Sequence, residues 1–496
     1  MVNASILVIG SGIAGLNFAL KASEHSDVLI ITKESLETSN SFLAQGGVAA
    51  VFSSEDNFEN HINDTMKVGE NLNDRKVVEF VVKNSPKEIL ALEKYGAKFD
   101  KSRGEFIMSR ESAHSHARVV HASDTTGMHI ERVLAENVRK NPRIKIIEDC
   151  IAFDLIIDGK TCYGVYALDW KNSEIISIKS KAVVFATGGA GQLFRFTTNP
   201  SIATADGIAL GYNAGAKVRG LEFVQFHPTM FSEESFLISE TVRGHGAILR
   251  NTLGERFMEN FPMKELEARN IVAREIFRQM QKTSSDSVLL DISHENPDFV
   301  KKRFPNIYSV CLRNGFDITK QQIPVQPSAH YMCGGVVVNI DAETNISGLY
   351  AIGECSCTGL HGADRMASNS LAEALVFSTR CADSVKDYVS GREICDIGKS
   401  PAKINIKISP EILILGEDLR NLMWDYAGIV RNKIGLETAL KEISKLRIHA
   451  EKIFLDGISR EIVELRNMLV VSELIVKSAL IREESRGCHF REDFAE

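Results

Sequence analysis

"SILVIGSGIAGLNFALKAS" (residues 5–23) reads as strand, glycine turn and helix. Ile6 to Ile9 are continuously apolar, as a fully buried strand requires. Leu16, Ala19 and Leu20 then recur at helical spacing. A second apolar run, "DVLIIT" from Asp27, completes a β-α-β unit. Gly10, Gly12 and Gly15 form G-x-G-x-x-G where that unit turns, and this context gives the motif its meaning. The first glycine allows the tight turn, the second lets backbone approach a pyrophosphate, and the third lets helix and strand pack closely. With Ser11, Ile13 and Ala14 they offer a helix N-terminus to phosphate. One position departs from the dinucleotide pattern. An acid usually ends the second strand and binds the ribose, but this chain has Thr32 and Lys33 there.

Two further apolar runs end in glycine, "AVVFATGGAG" from Ala182 and "GLYAIGE" from Gly348. Three such endings predict one parallel sheet with a ligand along its C-terminal edge. The fold class expected is α/β: a Rossmann-like domain at 1–220 and 331–400, an inserted α+β capping domain at 221–330, and a C-terminal helical bundle at 401–496. "GKSPAKINIKISP" (residues 398–410) reads as the linker before the bundle. In the bundle, Leu419, Leu422, Met423 and Tyr426 keep helical spacing, as do Leu436, Leu440 and Ile443.

The 496 residues carry a net charge of −7, which argues against non-specific nucleic-acid or membrane binding and still allows a local basic pocket. No apolar run reaches the roughly 18 residues of a membrane span, and the start has no basic segment typical of a signal peptide. Nine cysteines are too irregular for a disulfide scaffold. Cys355 and Cys357 lie near His361 without zinc spacing, so no metal is expected, and reduced thiols fit a cytoplasmic protein.

"TSNSFLAQGGVAAV" (residues 38–51), "ATGGAGQLF", "TADGIALGYNAGA", "EFVQFHPT", "AHYMCGGV", "GLYAIGECS", "GLHGADRMASNSL" and "ESRGCHFREDF" occur in this order. Together with the first motif they resemble the flavoprotein family that holds L-aspartate oxidase and the flavoprotein subunits of succinate dehydrogenase and fumarate reductase. The resemblance runs nearly the whole chain. It implies bound FAD and hydride transfer between a four-carbon dicarboxylate and flavin N5. Where the respiratory enzymes carry a histidine bonded to FAD, this chain has Asn40, so the FAD should be non-covalent. "SRESAHSHARVVHASDTTG" from Ser109 is similar to the amino-acid-oxidising branch, and its Glu111 suits a substrate ammonium. The resemblance thus implies oxidation of L-aspartate to iminoaspartate. It implies reoxidation by dioxygen or fumarate, a hand-off to quinolinate synthase, and the first step of de novo NAD synthesis. The alternative is a soluble fumarate reductase or a succinate dehydrogenase flavoprotein subunit. A FAD-binding protein without catalysis is the rival from another class.

A dicarboxylate needs basic and hydrogen-bonding groups at both ends. Gln225, His227, Arg243, Arg274, His330 and Arg365 are the candidates, with Glu111 for the amine and Ser239 for a carboxylate hydrogen bond. The resemblance places His227, His330 and Arg365 on the carboxylates and makes Arg274 the proton donor or acceptor. Read on its own helix, Arg274 is equally a solvated arginine or a partner of Glu275 or Glu267. Ser41, Phe42, Leu43, Ala44, Gln45, Gly46 and Gly47 should wrap the flavin. Ser368 and Asn369 read as N-cap residues, so Ser370 and Leu371 would offer backbone to it. Lys33, Asp206 and Glu354 are the other cofactor candidates. Asp364 stands where the family often has asparagine. It either lowers dicarboxylate affinity or pairs outward, and both readings stay open.

Overall fold

In the computed structural model, residues 2–395, 397, 406 and 409–494 are described. The linker read at 398–410 therefore lies outside the described residues, apart from Ile406, Ser409 and Pro410.

The opening motif forms the centre of a seven-stranded sheet. Val2–Ile9 pairs in parallel with Val28–Ile31 on one side and Glu174–Phe185 on the other. Ile144–Ile147 extends the parallel part beyond Val28–Ile31. The three glycine-ended runs lie side by side, since Ile9 is in register with Phe185 and Phe185 with Ala351. The sheet is nevertheless mixed and not wholly parallel. Cys150–Asp158 and Thr161–Asp169 form a hairpin that adds antiparallel to Glu174–Phe185. A hairpin needs only a tight turn, supplied here by Gly159 at φ +58, whereas another parallel strand would need a crossover.

The helices Ile13–Ala22 and Asn369–Val389 pack against each other over the sheet. A separate five-stranded antiparallel sheet holds Phe236–Leu237, Val224–Phe231, Ile323–Met332, Val288–Asp291 and Ile248–Arg250 in that order. Its core is Phe231, Leu249, Val272, Ile276 and Leu290, with Arg269–Thr283 as its main helix. Glu411–Ala427, Lys433–Asp456 and Arg460–Ile481 form the C-terminal helices. Leu419, Met423, Leu436 and Ile443 are fully buried there, whereas Tyr426 is exposed.

Arg431 ties this bundle to the rest. It is completely buried, and its Nε donates to the carbonyls of Ala427 and Gly428 at 3.1 and 3.0 Å. Its Nη1 reaches the Glu222 carbonyl at 2.7 Å and His489 Nδ1 at 2.8 Å. Arg431→Met strands these acceptors and should cost about 3 kcal/mol of stability. Urea denaturation measures it; a loss under about 0.5 kcal/mol, the scale of an ordinary surface change, would refute the tie.

Candidate functional site: a dinucleotide cleft ending in an arginine-lined pocket

A long cleft runs along the C-terminal ends of the parallel strands. Gly10, Ser11, Gly12 and Ala14 line its first part. Gly10 has φ +109, and a side chain there would drive into the Ala186 carbonyl at 2.2 Å. The following helix has Gly12 as N-cap with no side-chain cap, so its first-turn N–H groups remain for a phosphate. Gly15 sits against the Gly10 carbonyl, 2.2 Å from where its Cβ would be. Its role is close packing, and neither it nor Ile13 lines the cleft.

Lys33 and Asp206 do line the cleft, but they bind each other. Lys33 Nζ lies 2.9 Å from Asp206 and 2.8 Å from Glu464, and it donates to Thr204 Oγ1 at 2.6 Å. Asn467 completes the cluster by donating to Asp206 at 2.9 Å. Arg460–Ile481 thus closes this part of the cleft. Burial works against the Lys33 charge, but the two carboxylates outweigh it and raise the pKa.

Asn40, Ser41, Leu43, Ala44 and Gln45 line the middle of the cleft, whereas Phe42, Gly46 and Gly47 do not. Phe42 packs under the Arg132 guanidinium instead. Gly47 lies against the Val120 carbonyl, and Gly46 leaves room for the Glu111 carboxylate, 2.8 Å from its missing Cβ. These two glycines therefore serve neighbouring backbone and Glu111, one step behind the cleft. Asn40 Nδ2 donates to Glu354 Oε2 and Asn199 Oδ1, each at 3.3 Å. Burial pushes the Glu354 pKa up to about 7. Ser370 and Leu371 also face the cleft. Ser368 and Asn369 do not cap their helix. The Ser368 hydroxyl goes to Glu111 at 2.6 Å and Asn369 to His61 and Thr65, which leaves the helix N–H groups to a ligand.

At its far end the cleft meets the capping sheet. His330 and Arg365 line it there, with Leu237 opposite. The rings of His227 and His330 stand 5.1 Å apart. Burial holds both pKa values well below the ordinary histidine value, aided at His227 by Arg269 and at His330 by Arg365. Both are neutral hydrogen-bonding groups at neutral pH. Gln225 Oε1 accepts from Arg365 Nη2 and from Arg269 Nη1, each at 3.0 Å. Arg269 Nε lies 2.6 Å from Glu240. Arg243 lies 3.6 Å from the same carboxylate. Arg243 Nε and Nη2 and Arg365 Nε are buried with no hydrogen-bond partner among the described residues. Unfilled guanidinium donors of this kind are costly unless an anion completes them.

Glu111, like Gln225, His227, Ser239 and Arg243, packs around this end of the cleft and does not itself line it. Its carboxylate accepts from Ser368 at 2.6 Å and from Thr241 at 3.4 Å. Burial raises its pKa, and the charge of Glu240 adds to that, against Ser368, Arg269 and Arg365. Burial resists the Glu240 charge too, but Arg269 and Arg243 bring its pKa to about 2. Ser239 caps the short helix Glu240–Gly244 and donates its N–H to Gln45 Oε1 at 3.1 Å, so Gln45 joins the flavin-side loop to the capping domain. Behind Glu111, Arg118 binds Asp56 and Asp64 and contacts His114 Nδ1 at 3.1 Å. His114 in turn reaches the Ala367 carbonyl at 3.0 Å. That brace fixes the backbone next to Ser368.

Arg274 is not in the pocket. Its guanidinium stacks on Phe490, 4.4 Å from the ring centre. Arg269 holds the place expected of it. The two lie five residues apart on one helix, hence about 140° apart around its axis, so they cannot share a pocket. Sequence reading also missed Glu240, Thr241, Glu464 and Asn467. Only Glu240 had a local signal, its i,i+3 spacing to Arg243.

Residues 5–371 match the FAD binding domain family, and residues 416–496 match the fumarate reductase flavoprotein C-terminal family. L-aspartate oxidase 2-a, chloroplastic, of Nicotiana tabacum is 43% identical over 98% of this chain and 81% of its own. L-aspartate oxidase of Yersinia pestis is 41% identical over 99% of this chain and 96% of its own. An E. coli quinol fumarate reductase structure superposes with TM-score 0.92 at 29% identity, covering 100% of this chain and 93% of that one. Adenylylsulfate reductase from Archaeoglobus fulgidus, at 19% identity and TM-score 0.77 over 100% of this chain and 91% of that one, shares the fold. With a glycine-turned cleft, an arginine pocket and full-length similarity of this degree, the chain belongs to the L-aspartate oxidase family of FAD-binding flavoproteins.

Proposed function

We propose that the protein oxidises L-aspartate to iminoaspartate with non-covalent FAD, and that dioxygen or fumarate takes the electrons. The observation that carries this is the Glu111 carboxyl set among arginines at the capping-sheet end of the cleft: Arg365 lines the cleft, Arg269 and Arg243 lie behind it on Glu240, and Arg243 and Arg365 keep buried nitrogens without hydrogen-bond partners among the described residues. FAD fits the residues present: a free helix N-terminus, glycines at the close approaches and an uncapped second helix beside the cleft. When bound, FAD supplies the acceptor for a hydride. Arg243, Arg365, His227 and His330 would hold the two carboxylates, and Glu111 the ammonium, so that the Cα–H is fixed in one orientation. Succinate has no cation for Glu111, which favours the amino acid over the dehydrogenase alternative.

Fumarate reduction needs a proton at the central carbons. Arg269 pairs with Glu240, Glu240 lies 3.6 Å from Arg243, and Arg243 donates to the backbone carbonyl of Glu265, whose carboxylate faces Arg256. Arg256 is 26% exposed and pairs with Glu265 at 2.7 Å. Glu240 is therefore the carboxylate that would exchange a proton with Arg269, and the contact beyond Arg243 is to a backbone carbonyl, which relays none. The product imine is unstable in water, so the same proposal includes prompt hand-off to quinolinate synthase in de novo NAD synthesis. A cytoplasmic location is part of it; among the described residues no helix is long and apolar enough to cross a membrane.

Purified protein should be yellow, and acid precipitation should release all its FAD, because the Asn40 amide cannot form a flavin bond. It should produce peroxide from L-aspartate and none from D-aspartate. Dye-coupled turnover of succinate without any of L-aspartate would overturn the proposal.

A further inference from the structure

Asp364 is 2% exposed and lies directly behind the arginine pocket. One oxygen, Oδ1, takes three donors: Gln225 Nε2 at 2.5 Å, the Arg365 N–H at 2.8 Å and the Cys488 thiol at 2.9 Å. The Cys333 sulfur completes a compact group with Asp364 and Cys488, all within 4.8 Å. The turn that carries Cys488 is seated on this segment, since the Cys488 N–H donates to the Ala363 carbonyl at 3.0 Å. Asp364 does not line the cleft. It reaches the pocket through Gln225, whose other amide atom accepts from both Arg269 and Arg365.

We infer that Asp364 is a specificity-determining residue: its negative charge, set behind Gln225, weakens dianionic dicarboxylates more than a dicarboxylate that carries an ammonium. The inference rests on the proposed reaction. Of the charged groups around it, Arg269 and Arg365 are cations, Glu111 and Glu240 are acids across the pocket, and Cys333 and Cys488 are buried thiols. Burial raises the Asp364 pKa above the ordinary carboxylate value, against the Cys488 and Gln225 donors, the Arg269 charge and the Arg365 N–H. The three donors favour the anion. L-Aspartate bears a net charge of about −1 and succinate or fumarate about −2 at neutral pH. A fixed charge therefore acts on the second pair about twice as strongly in free energy, and its effect on their dissociation constants is the square.

The test is Asp364→Asn in the FAD-loaded protein, with FAD content and melting temperature confirming the fold. The variant keeps an acceptor for all three donors and removes the charge. Succinate binding is read from flavin absorbance, and L-aspartate binding from saturation of the anaerobic flavin-reduction rate. Succinate should tighten about tenfold and L-aspartate about threefold. Cys488→Ser, which keeps the charge and a donor to it, should keep the parent ratio. If the Asn variant does not fold, Asp364→Ser, which also removes the charge, takes its place. Equal changes for both ligands, or an unchanged ratio, overturn the inference. A parent protein whose flavin L-aspartate does not reduce would overturn the proposed reaction instead, and the succinate titrations would still read the charge.

Discussion

Arg269→Gln is expected to lower turnover by about 10^3-fold or more with L-aspartate and with fumarate alike, the scale of losing both a charge-stabilising donor and an acid–base group. Arg274→Gln should stay within about threefold of the parent, as a residue outside the reacting centre would. The contrast follows from one helix. Arg269 opens it, with Nε on Glu240 at 2.6 Å and Nη1 on Gln225 at 3.0 Å. Arg274 faces Phe490, with Val224, Phe226 and Cys488 around it. Burial opposes the Arg269 charge, but Glu240 outweighs it and raises the pKa. Arg269 is therefore held as a cation on Glu240, and a glutamine keeps neither the charge nor the ion pair. Removing it also leaves Glu240 buried with a weaker partner, at about 3 kcal/mol, so Arg269→Lys is the companion variant that keeps a charge on Glu240. Steady-state turnover at fixed FAD occupancy measures both. A dead Arg274→Gln beside an active Arg269→Gln would reverse the assignment.

That pair of arginines also shows what the sequence can and cannot specify. The glycines of the first turn were legible because their job is local: strand, turn and helix are contiguous, and φ +109 at Gly10 follows from the turn itself. His227, His330 and Arg365 were legible through the motifs around them. "ARNIVAREIF" holds two arginines of one type, and only the helix phase relative to a distant sheet decides between them. Lys33 was read as a ligand-facing cation because its partners Glu464 and Asp206 lie far away in sequence. Gly46 and Gly47 looked like room for a ring, but the close approach they permit is to Glu111 and Val120. In each case the residue type was informative, and the direction it faced was set by partners 29 or more residues away. The antiparallel hairpin added to the parallel sheet is a similar case, since its strands carry the same apolar texture as parallel ones.

Glu111→Gln should separate two half-reactions that share every other residue. L-Aspartate oxidation should fall about 10^2-fold, the price of leaving an ammonium without its carboxylate in a desolvated pocket. Fumarate reduction should change by less than about threefold, because fumarate has no ammonium. Glutamine keeps the size of the side chain, its oxygen still accepts from Ser368 and its NH2 faces the Thr241 hydroxyl, which can accept, so Gly46 and the loop beside it remain in place. The pH profile supplies an independent reading. Burial and Glu240 raise the Glu111 pKa above 4.5. Below that raised value the side chain is neutral and attracts no ammonium; above it the carboxylate forms. Aspartate oxidation should therefore rise with pH across a window above 4.5, and this limb should vanish in Glu111→Gln while fumarate reduction shows no such limb. Reduction rates of the flavin by L-aspartate, and its reoxidation rates by fumarate, read the two halves separately in rapid mixing. Equal losses in both halves would remove Glu111 from the amine and make it a structural support of the Ser368 backbone, whereas an unchanged acidic limb would assign the titration to another group in the pocket.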